Sequence, residues 1–220
     1  KQKIAKLFFI SKIDEENSDF FKVFDQLQDK FGKDVIAFEL PIIENGSFTG
    51  IVNVATMKAK KFSGKDFVDA DIPASMQATV EKYREGISEA VAETDEDLME
   101  KYFSGEAFTE EEILKGLSKG IKSGDISPVF CGSAINHAGV KLLLDAVVQY
   151  VPAFSERGPV AASLPGGEET IELKPENGEV LSALVFKTIV DPFVGKISYI
   201  KVMSGVLKSD SVIYNVKKDK

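Results

Sequence analysis

A chain of 220 residues, 44% apolar and 28% charged, has the make-up of a folded globular protein with room for one large domain or two small ones. Its net charge of −8 excludes wrapping of nucleic acid over the whole surface, which needs clustered Lys and Arg. No apolar run approaches the roughly 18 residues of a membrane span, no signal peptide opens the chain, and the single cysteine, Cys131, permits no internal disulfide, so a reducing cytoplasm is the expected compartment.

In chain order, residues 4–10 (IAKLFFI) read as a buried strand, followed by the polar loop Ser11-Lys12-Ile13-Asp14. A helix is expected from about Asp19 to Phe31, because Phe20, Val23, Phe24, Leu27 and Phe31 share one face and Gly32 stands where a C-terminal cap belongs. Residues 35–40 then read as a strand opening a small antiparallel sheet. The Asn45-Gly46 pair suits a tight hairpin turn, the return strand is 48–55, and 57–62 adds a third. Helices follow, the first opening near Pro73, with Thr94/Asp97 and Thr109/Glu112 read as caps of two more. The α/β pattern resumes with a strand at 126–130, the turn Cys131-Gly132-Ser133-Ala134, and a helix over 139–150 that ends before Pro152. Residues 152–178, rich in Pro, Gly, Ser and Glu, read as a linker. Strands are expected at 182–190, 196–203 and 211–216. The fold class is therefore α/β, with an α+β insert and the start of a β-barrel. Both ends of the chain fall beside strands, and the expectation is that they are cut points in a longer protein.

Two loops carry the chemistry. Both follow strands of the α/β pattern, and loops at the carboxyl ends of neighbouring parallel strands form the crevice where open α/β sheets bind ligands. An Asp at position 14 can accept two hydrogen bonds from the N1–H and N2–H2 edge of guanine. Adenine lacks that pair of donors, and an unmatched buried acceptor costs roughly 1–3 kcal/mol or more, enough for strong discrimination. Lys12 can lay its methylene stem over a base while its ammonium stays in water. A backbone N–H of Ser133 or Ala134 can donate to guanine O6.

Residues 11–14 resemble the Asn-Lys-x-Asp base-specificity motif of GTPases, and Gly132-Ser133-Ala134 resembles their fifth motif. Residues 139–152 (GVKLLLDAVVQYVP) are similar to the helix closing the GTPase domain of the elongation factor G family. Asp191-Pro192-Phe193-Val194-Gly195 resembles the opening of that family's second domain, and Phe48-Thr49-Gly50-Ile51 with Met57-Lys58-Ala59 resembles its G′ insert. The resemblance covers essentially the whole chain in the right order. It implies a partial P-loop-GTPase-type sheet at 1–32, a G′-like insert at 33–122, the end of the GTPase domain at 123–153, a linker at 154–180 and the start of the second, β-barrel domain at 181–220. It further implies a guanine-nucleotide site (GTP or GDP) formed in part by Ser11, Lys12, Asp14, Ser133 and Ala134, in a protein that promotes translocation on the ribosome. Ser11 departs from the family's Asn, which braces the loop and approaches purine N7. An elongation-factor-G-like paralogue or ribosomal-protection protein with little translocase activity is therefore one alternative, and a non-enzymatic ribosome-binding module is another.

The sequence holds no G-x-x-x-x-G-K-[ST] phosphate loop, the element that supplies phosphate-binding N–H groups, a Lys and a Mg²⁺ ligand. This chain alone is thus expected neither to bind GTP tightly nor to hydrolyse it, and no catalytic or metal-ligating residue is assigned. Residues 81–112 hold 12 Asp and Glu against 3 Lys and Arg. In the family the corresponding insert meets the ribosomal stalk protein, which implies a docking face to which Glu85, Glu89, Glu93 and Glu96 contribute, beside contacts with rRNA and other ribosomal proteins. Cys131 reads as a small buried residue, and a lone histidine, His137, makes no metal cluster.

Overall fold

A three-stranded parallel sheet positions both loops, and the rest of the first unit is built around it. The computed structural model describes residues 4–64, 66–164 and 169–219, which divide into two units, 1–151 and 152–220.

In the first unit, β1 (Phe8–Ile10) leads through the polar loop into α1 (Phe20–Phe31). The Asp19 side chain caps that helix by accepting from the Lys22 N–H at 3.0 Å, and Phe20 and Phe24 turn inward as the helical spacing predicts. β2 (Val35–Ala37) follows, then four antiparallel strands, β3 (Glu39–Glu44), β4 (Ser47–Asn53), β5 (Lys58–Ser63) and β6 (Asp66–Ala70), paired in sequence order. Asn45 and Gly46 turn the β3–β4 hairpin with φ of 51° and 76°, the left-handed pair that a type I′ turn demands. A 3₁₀ turn (Ala74–Met76) after Pro73 leads into α2 (Gln77–Ala92), then α3 (Glu96–Phe103) and α4 (Glu110–Ser123). The chain returns through β7 (Ser127–Cys131) and closes the unit with α5 (Val140–Tyr150). β7 lies between β1 and β2 and runs parallel to both. Leu40, Ile42, Ile51, Val52, Ile87, Ile113, Leu117, Ile121 and Phe130 belong to one continuous buried core shared by the sheets and helices.

Two expectations need correction here, and one strand is added. Residues 35–40 are not one strand of the antiparallel sheet: 35–37 pair with 127–129 in the parallel sheet, and the chain changes sheets at Phe38. Phe38 makes that splice by donating its N–H to the Val129 carbonyl at 3.0 Å while its own carbonyl accepts from the Val54 N–H at 3.0 Å. The cap of α3 is Asp95, which accepts from the Asp97 N–H. The Thr94 hydroxyl instead donates back to the Val91 carbonyl at 2.7 Å, as a Thr just past the last turn of a helix can. β6 was not anticipated, because Asp66 and Asp69 interrupt its apolar pattern. The Thr109/Glu112 pair does form a full capping box: the Glu112 N–H donates to the Thr109 hydroxyl and the Thr109 N–H to the Glu112 carboxylate.

In the second unit the expected linker contains a hairpin of β8 (Val160–Ser163) with β9 (Thr170–Leu173). A second hairpin joins β10 (Ser182–Asp191) to β11 (Gly195–Ser204). Its turn is held by the Asp191 carboxylate, which accepts from the Phe193 and Val194 N–H groups at 2.8 Å each, and those bonds lower the Asp191 pKa. The strand expected at 211–216 is absent: Val212, Ile213, Tyr214 and Val216 are exposed, and among the described residues that backbone finds no ladder partner.

Glu39, the first residue of β3, is only 2% exposed, and its Oε2 accepts from the Cys131 N–H at 3.3 Å. It thereby ties the antiparallel sheet to the end of β7. Burial pushes its carboxyl from 4.5 up to about 8, against the smaller opposing pull of that N–H. The folded protein therefore keeps a proton that the unfolded chain releases above its ordinary value of 4.5. Its stabilising contribution is complete below about 4.5 and is lost progressively as pH rises to about 8. Denaturant unfolding across that range is expected to show stability falling with pH, with a flatter profile for Glu39→Gln; parallel profiles for the two proteins would contradict this.

Candidate functional site

The loops at 11–14 and 132–134 are neighbours because β1 and β7 pair in parallel register, with Phe8 opposite Val129 and Ile10 opposite Cys131. Two backbone bonds extend the pairing beyond the strands. The Gly132 N–H donates to the Ile10 carbonyl at 3.0 Å, and the Ile13 N–H donates to the Gly132 carbonyl at 3.2 Å. Gly132 is thus gripped on both sides by the other loop. A Cβ there would collide with the Ala138 carbonyl oxygen and stand 2.8 Å from the Phe9 ring, so glycine is the residue that fits.

Within the first loop, Ile13 points inward and is 4% exposed, while Ser11, Lys12 and Asp14 face solvent. Ile13 is the anchor. Its carbonyl accepts from the Ser18 hydroxyl at 2.8 Å, and the Glu15 N–H donates to the Lys12 carbonyl at 3.1 Å. Lys12 takes a left-handed conformation, φ 65°, and its ammonium lies 3.1 Å from Glu15 Oε1, which leaves its stem on the surface. The Ser11 side chain makes no hydrogen bond among the described residues.

In the second loop, Ser133 is 1% exposed. Its N–H donates to the Ala138 carbonyl at 2.8 Å, and its hydroxyl oxygen accepts from the Asn136 N–H at 3.3 Å. Ser133 therefore shapes the loop with both its backbone and its side chain. Its N–H is already engaged, whereas Ala134 is exposed and its N–H has no partner among the described residues. Asn136, which the sequence reading did not single out, donates from Nδ2 to Asp14 Oδ2 at 2.7 Å. The only advance signal was an amide side chain three residues beyond Ser133. The pairing spans 122 positions and could not be read from spacing.

All five anticipated residues, Ser11, Lys12, Asp14, Ser133 and Ala134, thus sit on two adjoining loops at the carboxyl ends of parallel strands. The arrangement presents an exposed carboxylate, an alkyl stem with an ammonium tip and an unengaged backbone N–H. That is one two-point acceptor and one donor, the complement of a planar heterocycle with adjacent N–H groups and a carbonyl. The surface is open. A hollow of about 460 Å³ beside it is lined by Ser11, Lys12, Asn17, Ser18, Lys22 and Gln26, while a larger hollow, about 790 Å³, lies away from the loops among α1, α2 and α4. Cys131, at the end of β7, is buried, and burial together with the nearby Glu39 carboxyl pushes its thiol pKa well up, so it is no nucleophile. His137 sits in the loop at φ 57°.

A parallel sheet flanked by further antiparallel sheets defines an α/β protein, and the family follows from comparison. Residues 1–153 match the model of the elongation factor Tu GTP binding domain, and the chain belongs to that family. It is also similar to the crystal structure of ttk003000868 from Thermus thermophilus, with 27% sequence identity and a TM-score of 0.73, over 95% of this chain and 29% of that one. The chain therefore spans less than a third of that relative's length. What these likenesses establish is membership of the GTP-binding family, which is broader than the elongation factor G resemblance drawn from the motifs.

Proposed function

We propose that this chain is the base-reading half of the guanine-nucleotide site of a translational GTPase. The observation that carries the reading is the side-by-side placement of the Asp14 loop and the Gly132-Ser133-Ala134 loop by the β1–β7 pairing. Asp14 accepts from guanine N1–H and N2–H2, the Lys12 stem covers one face of the base, and the Ala134 N–H donates to O6. Ser133, whose own N–H is bound to Ala138, positions Ala134. Ser11 borders the pocket. One carboxylate acceptor and one backbone N–H donor fit the guanine edge and do not fit adenine. GTP supplies the phosphoanhydride whose hydrolysis drives the protein's conformational cycle. With no phosphate loop in this sequence, residues outside this chain hold the phosphates and Mg²⁺, and this chain alone is inactive.

The parent protein acts with the ribosome in the cytoplasm, and its job in this reading is translocation during chain elongation. The acidic insert is its contact with the stalk protein. Glu85, Glu89 and Glu93 are spaced four apart on and just beyond α2, and Glu96 opens α3; all four are exposed. Glu85 accepts from the Tyr102 hydroxyl at 2.9 Å and Glu89 lies 3.9 Å from Lys33, whereas Glu93 and Glu96 form no ion pair among the described residues. A field of this sign favours a basic partner surface.

Two measurements on the full-length protein test the reading. Asp14→Asn is expected to lower GDP affinity and raise that for xanthosine diphosphate, moving their ratio by at least about tenfold, or roughly 1.4 kcal/mol; an unchanged ratio would remove Asp14 from the base site. Reversing Glu85, Glu89, Glu93 and Glu96 to Lys is expected to weaken stalk-protein binding most strongly at low salt. Equal affinity at every ionic strength would sink the docking face.

A further inference from the structure

We propose that Asn136 is a positioning residue for guanine selectivity, acting through Asp14; the inference rests on the base-reading role proposed above. Asn136 lies on the β7 loop and Asp14 on the β1 loop, and the 2.7 Å bond from Nδ2 to Oδ2 is the one side-chain hydrogen bond between these loops among the described residues. All other ties between them are backbone bonds through Gly132.

The Asp14 carboxylate needs such a tie. It stands exposed on a loop whose neighbouring hydroxyl, Ser11, binds nothing among the described residues, so no side chain of its own loop fixes the plane of the carboxylate. Asn136 is itself held, because its N–H donates to the hydroxyl of the buried Ser133 at 3.3 Å. The buried serine thus fixes the backbone from which the Asn136 side chain projects, and the side-chain amide in turn meets the carboxylate. A carboxylate oxygen accepts more than one hydrogen bond, so Oδ2 can keep the Asn136 amide and still receive a donor from the base. The bond is charge-assisted and short, the kind that restricts rotation.

Fixing the carboxylate plane matters only for a ligand that uses both oxygens. Guanine offers two adjacent donors, N1–H and N2–H2, and needs both oxygens coplanar with the ring. Hypoxanthine offers N1–H alone and tolerates a rotating carboxylate. Asn136 thus contributes to the preference for guanine over hypoxanthine more than to nucleotide affinity in general.

The test compares GDP, inosine diphosphate and ADP binding to the full-length protein, as wild type, Asn136→Ala and Asn136→Asp, with melting temperatures in parallel. Asn136→Ala is expected to weaken GDP by about tenfold, with inosine diphosphate affected less, so that the ratio between them shrinks at unchanged melting temperature. Asn136→Asp, which sets a second carboxylate against Asp14, is expected to cost GDP affinity more than Asn136→Ala does. The proposal is overturned if both variants bind GDP as the wild type does. It is equally overturned if GDP and inosine diphosphate weaken by the same factor alongside a lowered melting temperature, the signature of a merely structural asparagine. A wild type that fails to prefer GDP over ADP would instead bring down the base-reading role itself, a separate and recognisable outcome.

Discussion

Gly132 is where the two loops are joined, and the candidate site depends on it. Its N–H and carbonyl are both taken by the β1 loop, through Ile10 and Ile13, which carries the parallel pairing of β1 and β7 past the strand ends. Parallel strands need a long crossover, and here it runs through α1, β2 and the whole insert. Nothing local brings Asp14 and Ala134 together. The energetic source is burial of β7, whose five residues are all inaccessible in the middle of the sheet between β1 and β2. The arrangement of the loops is thus held in place by apolar contacts several residues below them.

The insert is joined to this sheet by backbone and side-chain hydrogen bonds at the start of β3. Phe38 hydrogen-bonds to both sheets through its two backbone groups, and the Glu39 carboxyl reaches the Cys131 N–H one residue before Gly132. An acid buried here stays protonated near neutrality, since water cannot stabilise its charge. The antiparallel sheet and the two loops consequently share a fixed joint.

Features set by nearby residues were legible in the sequence. Asp19 and Gly32 bounded α1, Asn45-Gly46 placed a turn, and Thr109 with Glu112 made a capping box, because each depends on partners within a few positions. That the two loops adjoin was legible for another reason: both follow strands of one α/β pattern, and those strands pair in parallel. What escaped depended on distant partners. Residues 35–40 look like one strand from within, and only the approach of β7 shows that the first half belongs to another sheet. Thr94 and Asp95 are adjacent and both able to cap; packing of Thr94 against Gly120 and its bond to Val91 decided between them. The β8–β9 hairpin lay hidden in a stretch whose Pro and Gly content reads as a connector. Asn136 was invisible because its partner, Asp14, lies at the other end of the crossover.

The proposed function stands or falls on whether these two loops hold a guanine base. The most direct measurement is a crystal structure of the full-length protein with GDP. The N1 and N2 edge of the base is expected within hydrogen-bonding distance of the Asp14 carboxylate, with O6 facing the Ala134 N–H and the Lys12 stem against the ring. A base bound elsewhere, or a bound nucleotide whose guanine edge meets solvent while Asp14 remains paired with Asn136 alone, would contradict it.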